Sequence, residues 1–496
     1  MHADPVAPGR SRPGNSWLVA PALGLVLASA CSPALLAQPE GDGGWGFERR
    51  QRELGRRARA GGVPFDGSAL PEPPASTMLS LADALALTRN GNRRIREAEQ
   101  AVAAAAARVH QQRGRLLPAV TGSGRYTAYT DSQRVFLDLP PGLLPPGSPD
   151  TFESREEQVG VVNATVTLPL DWTGELVEGL RAAQAGYRGE RARLWATTLG
   201  EQVAVVRAYF DLLEAQRLRE VTRQTIAFQA LQLRNAEHRY ATGRLTKNEL
   251  LVVRVRLANA QQELHQRDLA VDHARWTLNR LLGRPVDAPT IVQDVQHRPT
   301  MPEAEVALAE AFAHNPVLEV LLEERQRLDA TLAALQRGWL PRLEGGAAVD
   351  WNSQHLATPQ HFGSGFVGMV WDLGTDGRRA AEIAETRARV EQARLALEGE
   401  LRSLEAGIRT ACRAVAERLA ALDAARQAID QAEENLRIRV QQFDAGRATS
   451  EDVLDAETLL ARQRAVLASA LYQAHAHRAV LQQLLGLPLE ELTKER

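Results

Sequence analysis

The sequence predicts an α+β membrane protein in which long antiparallel coiled-coil helices carry four β-strands per chain, all built by internal duplication. Three observations predict this fold class. A motif recurs at a fixed offset, the helical patterns are far longer than those of a globular domain, and the strand patterns have one apolar and one polar face.

The duplication is clearest around two Gly-Arg pairs, which start at residues 243 and 446. These pairs are 203 residues apart, and at the same offset LLGRP (281–285) aligns with LLGLP (484–488). A register without gaps over about fifty residues indicates a repeat rather than chance similarity. The predicted repeats are 78–285 and 303–488.

Each repeat is predicted to contain a helix, two strands, a long helix, a Gly turn and a shorter helix, in that order. In the first repeat we place the helices and strands at 79–116, 120–130, 159–172, 175–241 and 247–282. In the second repeat we place them at 303–337, 343–351, 363–373, 377–444 and 450–485. Pro118 and Pro341 end the first helix of each repeat, because proline cannot continue a helix.

The helix lengths predict how the helices pack. At about 1.5 Å per residue, each long helix extends roughly 100 Å, and the two shorter helices of a repeat together match that length. We therefore expect the shorter helices to stack end to end along the long one. The second long helix carries an apolar stripe with the coiled-coil spacing of 3.5 residues: Ile408, Ala411, Val415, Leu419, Leu422, Ala425, Ile429, Ala432 and Leu436. A self-contained helical bundle is the alternative interpretation of this spacing.

The predicted strands alternate between apolar and polar residues. In 159–171 one face carries Val162, Ala164, Val166, Leu168 and Leu170, and the other carries Asn163, Thr165, Thr167 and Asp171. Such alternation is typical of the wall of a membrane barrel, and an ordinary half-buried sheet is the alternative. Four strands cannot close a barrel around water, and an open edge in lipid is costly. If these strands cross a membrane, several chains must share the barrel.

The N-terminal sequence predicts export. A basic start, a short apolar run and small residues predict a signal peptide over 1–30, followed by a lead-in rich in Gly and Pro over 31–77. The sequence around Cys31 resembles a bacterial lipoprotein cleavage site, which makes this cysteine a candidate for lipidation; ordinary cleavage after Ala30 or Ala37 is the alternative. No other segment is predicted to be a transmembrane helix, so any membrane span must consist of strands.

Composition and motifs exclude other classes. The 496 residues have a net charge of −2, which gives no reason to expect nucleic-acid binding. Cys412 lies in a helical pattern and is expected to be a small buried residue. His475 and His477 are two residues apart, so they share no helix face for a metal, and we expect them to be solvated. No motif for a phosphate loop, a nucleophile elbow or a metal pair is found, so we predict no enzyme activity and no cofactor.

The order of these elements resembles the TolC-like outer-membrane efflux protein family over residues 78 to 488. The resemblance depends on LSLADALALTRNGN and LAEAFAHNP at the repeat starts, LLP and WLP before the strands, LPLDWTG and VWDLGTDGRR after them, and the GR turns. It implies a homotrimer in which each chain gives four strands to a twelve-stranded outer-membrane barrel. The helices form a periplasmic α-barrel, and a periplasmic adaptor protein and an inner-membrane pump bind to its closed tip.

The resemblance also implies roles for residues near the Gly-Arg turns. Asp452 and Asp455 match acidic positions that line the constriction, where threefold symmetry turns each into a ring that favours cations. Helix capping is the alternative for Asp452. The remaining candidate gate and turn residues are Gly243, Arg244, Glu249, Phe443, Gly446 and Arg447. We expect Arg447, with Arg244 as a second candidate, to pair with Glu249, and Phe443 lacks the hydroxyl of the Tyr common there.

These predictions favour one function over two alternative interpretations. We expect a passive outer-membrane exit duct of a tripartite efflux or secretion system, gated at its periplasmic tip and located in the bacterial outer membrane with a large periplasmic part. A periplasmic coiled-coil scaffold without a pore is the alternative. A hydrolase with helical arms is a third interpretation, but the sequence contains no candidate catalytic site for it.

Overall fold

The structure is a computed structural model that describes residues 78–136, 151–295, 297–354, 359–374 and 377–490. The predicted signal peptide, Cys31 and the lead-in lie outside these residues. The described helices are α1 (Leu81–Gly91), α2 (Arg93–Gly114), α3 (Glu175–Ala241), α4 (Lys247–Leu282), α5 (Ala304–His314), α6 (Pro316–Arg337), α7 (Arg378–Asp444) and α8 (Ser450–Leu485). The described strands are β1 (Ala119–Ala128), β2 (Gln133–Phe136), β3 (Thr151–Arg155), β4 (Gln158–Leu170), β5 (Arg342–Asn352) and β6 (His361–Val370).

The long helices have the predicted lengths and are identical in size between the repeats. Helices α3 and α7 each contain 67 residues, and α4 and α8 each contain 36. The coiled-coil stripe of α7 is largely buried, including Ile408, Val415 and Leu422, which have no exposed surface. Cys412 is buried beside this stripe, as expected for a small core residue.

The prediction of one continuous first helix per repeat is wrong. Asn92 separates α1 from α2, and Asn315 separates α5 from α6. Each asparagine has an extended backbone, and its side-chain oxygen accepts hydrogen bonds from the first backbone N–H groups of the following helix. Pro316 then occupies the first turn of α6, where a missing N–H costs nothing. Asparagine thus ends one helix and begins the next without disturbing the apolar period.

The shorter helices of each repeat meet end to end, as their lengths predict. Helix α2 packs along the end of α3 that is next to the strands, whereas α4 packs along the other end. At the junction Gly283, the αL residue after α4, lies so close to α1 that a Cβ would be 2.5 Å from the backbone oxygen of Gly91. The main core is next to this junction and includes Tyr209, Phe210 and Leu278.

Four strands form one antiparallel sheet with the order β1-β4-β5-β6, so strands of the two repeats join at β4 and β5. The first hairpin contains two strands that were not predicted: β2 and β3 lie between the predicted strands 120–130 and 159–172 and pair with each other as a separate two-stranded sheet. The loop residues 137–150 lie outside the described part of the chain. Among the described residues, none of the helices has an apolar stretch long enough to cross a membrane.

The register of the four-stranded sheet aligns apolar residues on one face. Val120, Val166 and Ala347 lie side by side across β1, β4 and β5, and the next positions align Ala119, Thr167 and Gly346 on the other face. Apolar side chains of the first face are exposed in the single chain: Val120, Val162, Val166, Leu168, Leu170, Val349, Trp351, Val367 and Met369. The predicted apolar outer face is therefore present, and no described part of the chain covers it.

Candidate functional site

The candidate site is the tip, which we define as the helix turns 242–246 and 445–449 with the adjoining helix ends. Both turns end their long helix in the same way. Gly243 and Gly446 have φ of +72° and +71°, a conformation that only glycine adopts without strain. The N–H groups of Arg244 and Arg447 each donate back to the helix, over 2.8 Å, to the carbonyls of Arg239 and Gln442. The two turns of the tip thus have the same hydrogen-bonded conformation.

The shorter helices begin with matching capping boxes. The backbone N–H of Thr449 donates to Asp452 over 2.8 Å, and the N–H of Asp452 donates back to the Thr449 hydroxyl over 3.2 Å. Thr246 and Glu249 make the equivalent pair in the first repeat. The hydrogen bonds from Thr246 and Thr449 lower the pKa of Glu249 and Asp452, because they favour the ionised carboxylates. Asp452 and Glu249 therefore cap their helices and stay charged at neutral pH.

Asp455 lies one turn deeper and faces the first repeat. Its carboxylate is 3.0 Å from Arg256 of α4, and Glu451 lies 4.0 Å from the same guanidinium. The side chain of Asp455 is 62% exposed and that of Asp452 is 40% exposed, with Arg439 of α7 3.9 Å away from the latter. Both aspartates are thus accessible on the single chain, and each has an arginine neighbour on another helix.

A further contact joins the two turns. The Arg239 guanidinium, near the end of α3, lies 4.0 Å from the centre of the Phe443 ring. It also donates to the Phe443 carbonyl over 3.3 Å and forms an ion pair of 3.2 Å with Asp444. Phe443 is buried beneath it. Phe443 thus contributes a ring face and a carbonyl to this contact, although it lacks a hydroxyl.

The expected pairing of Glu249 is not made within one chain. Glu249 bonds to Thr246, and none of the ion pairs among the described residues joins it to Arg244 or Arg447. The pairing of Glu249 with Arg447 or Arg244 stays a prediction.

Sequence reasoning missed Arg239, Arg256 and Arg439, and the repeat contains the signal that would have revealed them. At the offset of 203 residues, Arg239 aligns with Gln442, Arg256 with Leu459 and Arg439 with Ala236. Their partners are asymmetric too: Asp444 aligns with Ala241 and Asp455 with Val252. The Arg239–Asp444 and Arg256–Asp455 pairs, whose equivalents in the other repeat are uncharged, join the two repeats, whereas Arg439 contacts Asp452 within the second repeat.

The combined features define a class of protein. An antiparallel sheet with an uncovered apolar face continues directly into helices of 67 residues, and these end in charged, capped turns far from the sheet. Such a chain is a subunit of an outer-membrane channel with a long helical extension.

The family model of the outer membrane efflux protein matches residues 84–284 and 307–487, and the chain belongs to this family. It is 25% identical over 406 residues to the probable efflux pump outer membrane protein SepC of Pseudomonas putida, across 79% of this chain and 80% of the relative. The toluene efflux pump outer membrane protein TtgF, from another strain of Pseudomonas putida, matches equally, with the same identity and coverage.

Solved structures share the fold. The outer membrane protein VceC of Vibrio cholerae has a TM-score of 0.71 and 18% identity, covering 82% of this chain and 96% of its own. The CmeC outer membrane channel of Campylobacter jejuni has a TM-score of 0.70 and 15% identity, covering 84% of this chain and 88% of its own.

Family membership confirms the predicted function and location. The chain is an efflux channel of the outer membrane with a large helical part in the periplasm. The family consists of channel proteins rather than enzymes, and its members serve pumps that also have an adaptor and an inner-membrane component.

Proposed function

We propose that the chain forms a homotrimeric exit duct with a shared twelve-stranded barrel. The observation that carries this proposal is the four-stranded sheet, whose edge strands β1 and β6 have no partner on their outer sides among the described residues. An unpaired edge and an exposed apolar face are both unfavourable in isolation. Pairing β6 of one chain with β1 of the next satisfies both edges, and lipid covers the apolar face. The repeats 78–285 and 303–488 then supply two strands each.

We also propose that the predicted signal peptide directs export and that Cys31 receives a lipid. The mass of the mature N-terminus tests both, because lipidation and ordinary cleavage after Ala30 or Ala37 give different masses.

The tip supports a gate at the periplasmic end, and the pump and adaptor are the proposed partners that open it. Arg239 ties the α3–α4 hairpin to the α7–α8 hairpin, and the Arg256–Asp455 pair adds a second tie. Transport through such a duct is passive. Opening therefore requires both contacts, that of Arg239 with the α7–α8 hairpin and that of Arg256 with Asp455, to break. The partner pump supplies the energy.

Replacing Arg239 by alanine should raise the conductance of the resting channel. The variant loses a stacked guanidinium and an ion pair, together about 1–2 kcal/mol per chain. Conductance of the purified protein in a planar bilayer measures the effect. Arg254→Ala is the matched control, because its ion pair with Glu237, of 2.9 Å, lies within one hairpin. Equal conductance of the two variants would show that Arg239 does not restrain the gate.

The acidic residues give a second test. In a trimer, Asp452 and Asp455 supply six carboxylates around the axis, a ring that binds cations. We expect small, cation-selective current steps that millimolar divalent cations block, and loss of this block in the Asp452→Ala/Asp455→Ala double variant. Arg256→Ala should strengthen the block instead, because it frees Asp455 from its ion pair. If divalent cations block the parent and both variants equally, the proposed duct still holds but the proposed acidic ring is contradicted.

A further inference from the structure

The interface between α3 and α8 buries a carboxyl group above the tip. Glu457 lies seven residues after Ser450, the first residue of α8, and only 6% of its surface is exposed. Thr225 and Gln229 of α3 donate hydrogen bonds to its side chain. Its Oε2 atom is buried and has no hydrogen-bond partner. A buried carboxylate oxygen without a donor is costly, because it has lost its water and gained nothing in return.

The neighbouring amide has the same deficit. Gln229 is 5% exposed, and its Oε1 atom is also buried without a partner. Gln229 lines a polar cleft of about 450 Å³ between α3, α4 and α8, together with Asn259 and Thr458. Glu457 and Gln229 therefore each contain a buried oxygen that accepts no hydrogen bond. One additional proton at this pair would supply a donor. A proton on Glu457 turns Oε2 into a donor and removes the need for charge in this interface.

The charges around Glu457 do not neutralise it. The charge of Arg464 of α8 favours the ionised form of Glu457, but its guanidinium donates to Glu433 of α7 over 2.9 Å and to Gln224 of α3 over 3.3 Å. On α4, which forms the other wall of the cleft, Arg256 is bound to Asp455 and Arg267 is bound to Glu263. Arg462 of α8 also lines the cleft. Burial is the largest influence and raises the pKa of Glu457, against the hydrogen bonds from Thr225 and Gln229, which lower it.

The duplication shows that this carboxyl group is not a remnant of the ancestral repeat. The position equivalent to Glu457 is Arg254, which is exposed and pairs with Glu237. The position equivalent to Gln229 is Ala432, a buried residue of the apolar stripe. The buried polar pair therefore belongs to the interface between the first long helix and the last short helix, and its counterpart positions in the other repeat do not reproduce it.

We propose that Glu457 is a proton-dependent latch of the gate: it is neutral while α3 and α8 are packed together, and its ionisation loosens this interface and favours the open tip. This inference rests on the proposed gate. The opened interface admits water, where the carboxyl group regains its ordinary pKa of 4.5. Because the closed state has the higher pKa, it binds the proton more tightly, so protonation stabilises closure. That stabilisation is complete below the ordinary pKa and is lost as the pH rises through the raised pKa.

The test compares resting conductance at about pH 5 and about pH 7.5 in a planar bilayer. We expect conductance of the parent trimer to rise with pH, by up to about tenfold for each unit by which closure raises the pKa. Glu457→Gln, which is permanently neutral, should stay near the low value of the parent at both pH values. Glu434→Gln is the control, because Glu434 is an exposed carboxylate of α7 that pairs with Arg437 on its own helix. Asp452 titrates below its ordinary range, so it does not change charge in this window.

A second measurement needs no variant. Hydrogen exchange of the α8 amides in the parent trimer, corrected for the intrinsic pH dependence of exchange, should show lower protection around Glu457 at the higher pH. A pore whose conductance and α8 protection do not vary with pH would overturn the latch while keeping the duct. The same pH dependence in Glu457→Gln as in the parent would also overturn it. Absence of any pore would instead contradict the proposed duct.

Discussion

Val166→Arg should abolish insertion of the trimer into the outer membrane. Val166 lies in the middle of the apolar row of β4 and is 40% exposed on the single chain, with Val120 and Ala347 beside it. An arginine at the midplane of a barrel's lipid face costs about 2–4 kcal/mol, and a symmetric trimer carries three copies. We expect the variant to be missing from the outer-membrane fraction, which fractionation and immunoblotting of unheated samples measure.

Thr167→Arg is the matched control, since it introduces the same side chain one residue further along. Thr167 lies on the opposite face, between Ala119 and Gly346. In the proposed barrel this face contacts water, so the control should insert normally. Normal insertion of both variants would favour the alternative of a periplasmic scaffold without a pore.

Gly283→Ala should be the most destabilising of the conservative glycine substitutions in the first repeat. Gly283 has φ of +72°, and its Cβ would lie 2.5 Å from the backbone oxygen of Gly91. A backbone oxygen cannot rotate away as a side chain can, so α1 must move from α4 at the junction beside the main core. We expect a loss of about 3–5 kcal/mol, and a lower midpoint of heat denaturation followed by circular dichroism.

Gly243→Ala separates the effect of the backbone angle from that of the contact. Gly243 has the same φ of +72°, but an added Cβ meets nothing within 4 Å. This variant should lose only the cost of placing a side chain in the left-handed region, about 1–2 kcal/mol. If both variants unfold at the same temperature, the close approach of Gly283 to Gly91 adds no cost beyond that of the backbone angle.

The sequence predicted the helices best where the pattern is long and its ends have a chemical signal. The bounds of α3 and α4 agree with the prediction to the residue, because a glycine turn separates the two helices and a Thr-Glu capping box begins α4. The two faces of β4 were also predictable, because side chains in a strand alternate between its faces with a period of two residues. Asn92 and Asn315 were missed because an asparagine that ends one helix and begins another leaves the apolar period unbroken.

Contacts between distant segments were less predictable. His475 was expected to be solvated, but it is buried and stacks on Phe210 of α3, with ring centres 4.8 Å apart. Its sequence neighbours are ordinary for a helix surface, so nothing local indicates the ring it packs against. The same holds for Glu457, which has the polarity of an exposed residue and lies in an interface.

The sequence by itself determined the duplication, the helix lengths and the apolar face of the sheet, because each of these is a pattern along the chain that does not depend on packing partners. The resemblance to the efflux family depends on the order of these elements and on short motifs. Only the tertiary structure decided which charges pair across the tip, as with Arg239 and Asp444, and which polar groups lose their water, as with Glu457. The reason is physical. A segment's own pattern fixes which side of it is apolar, whereas the partner of each side chain depends on how two such sides pack together.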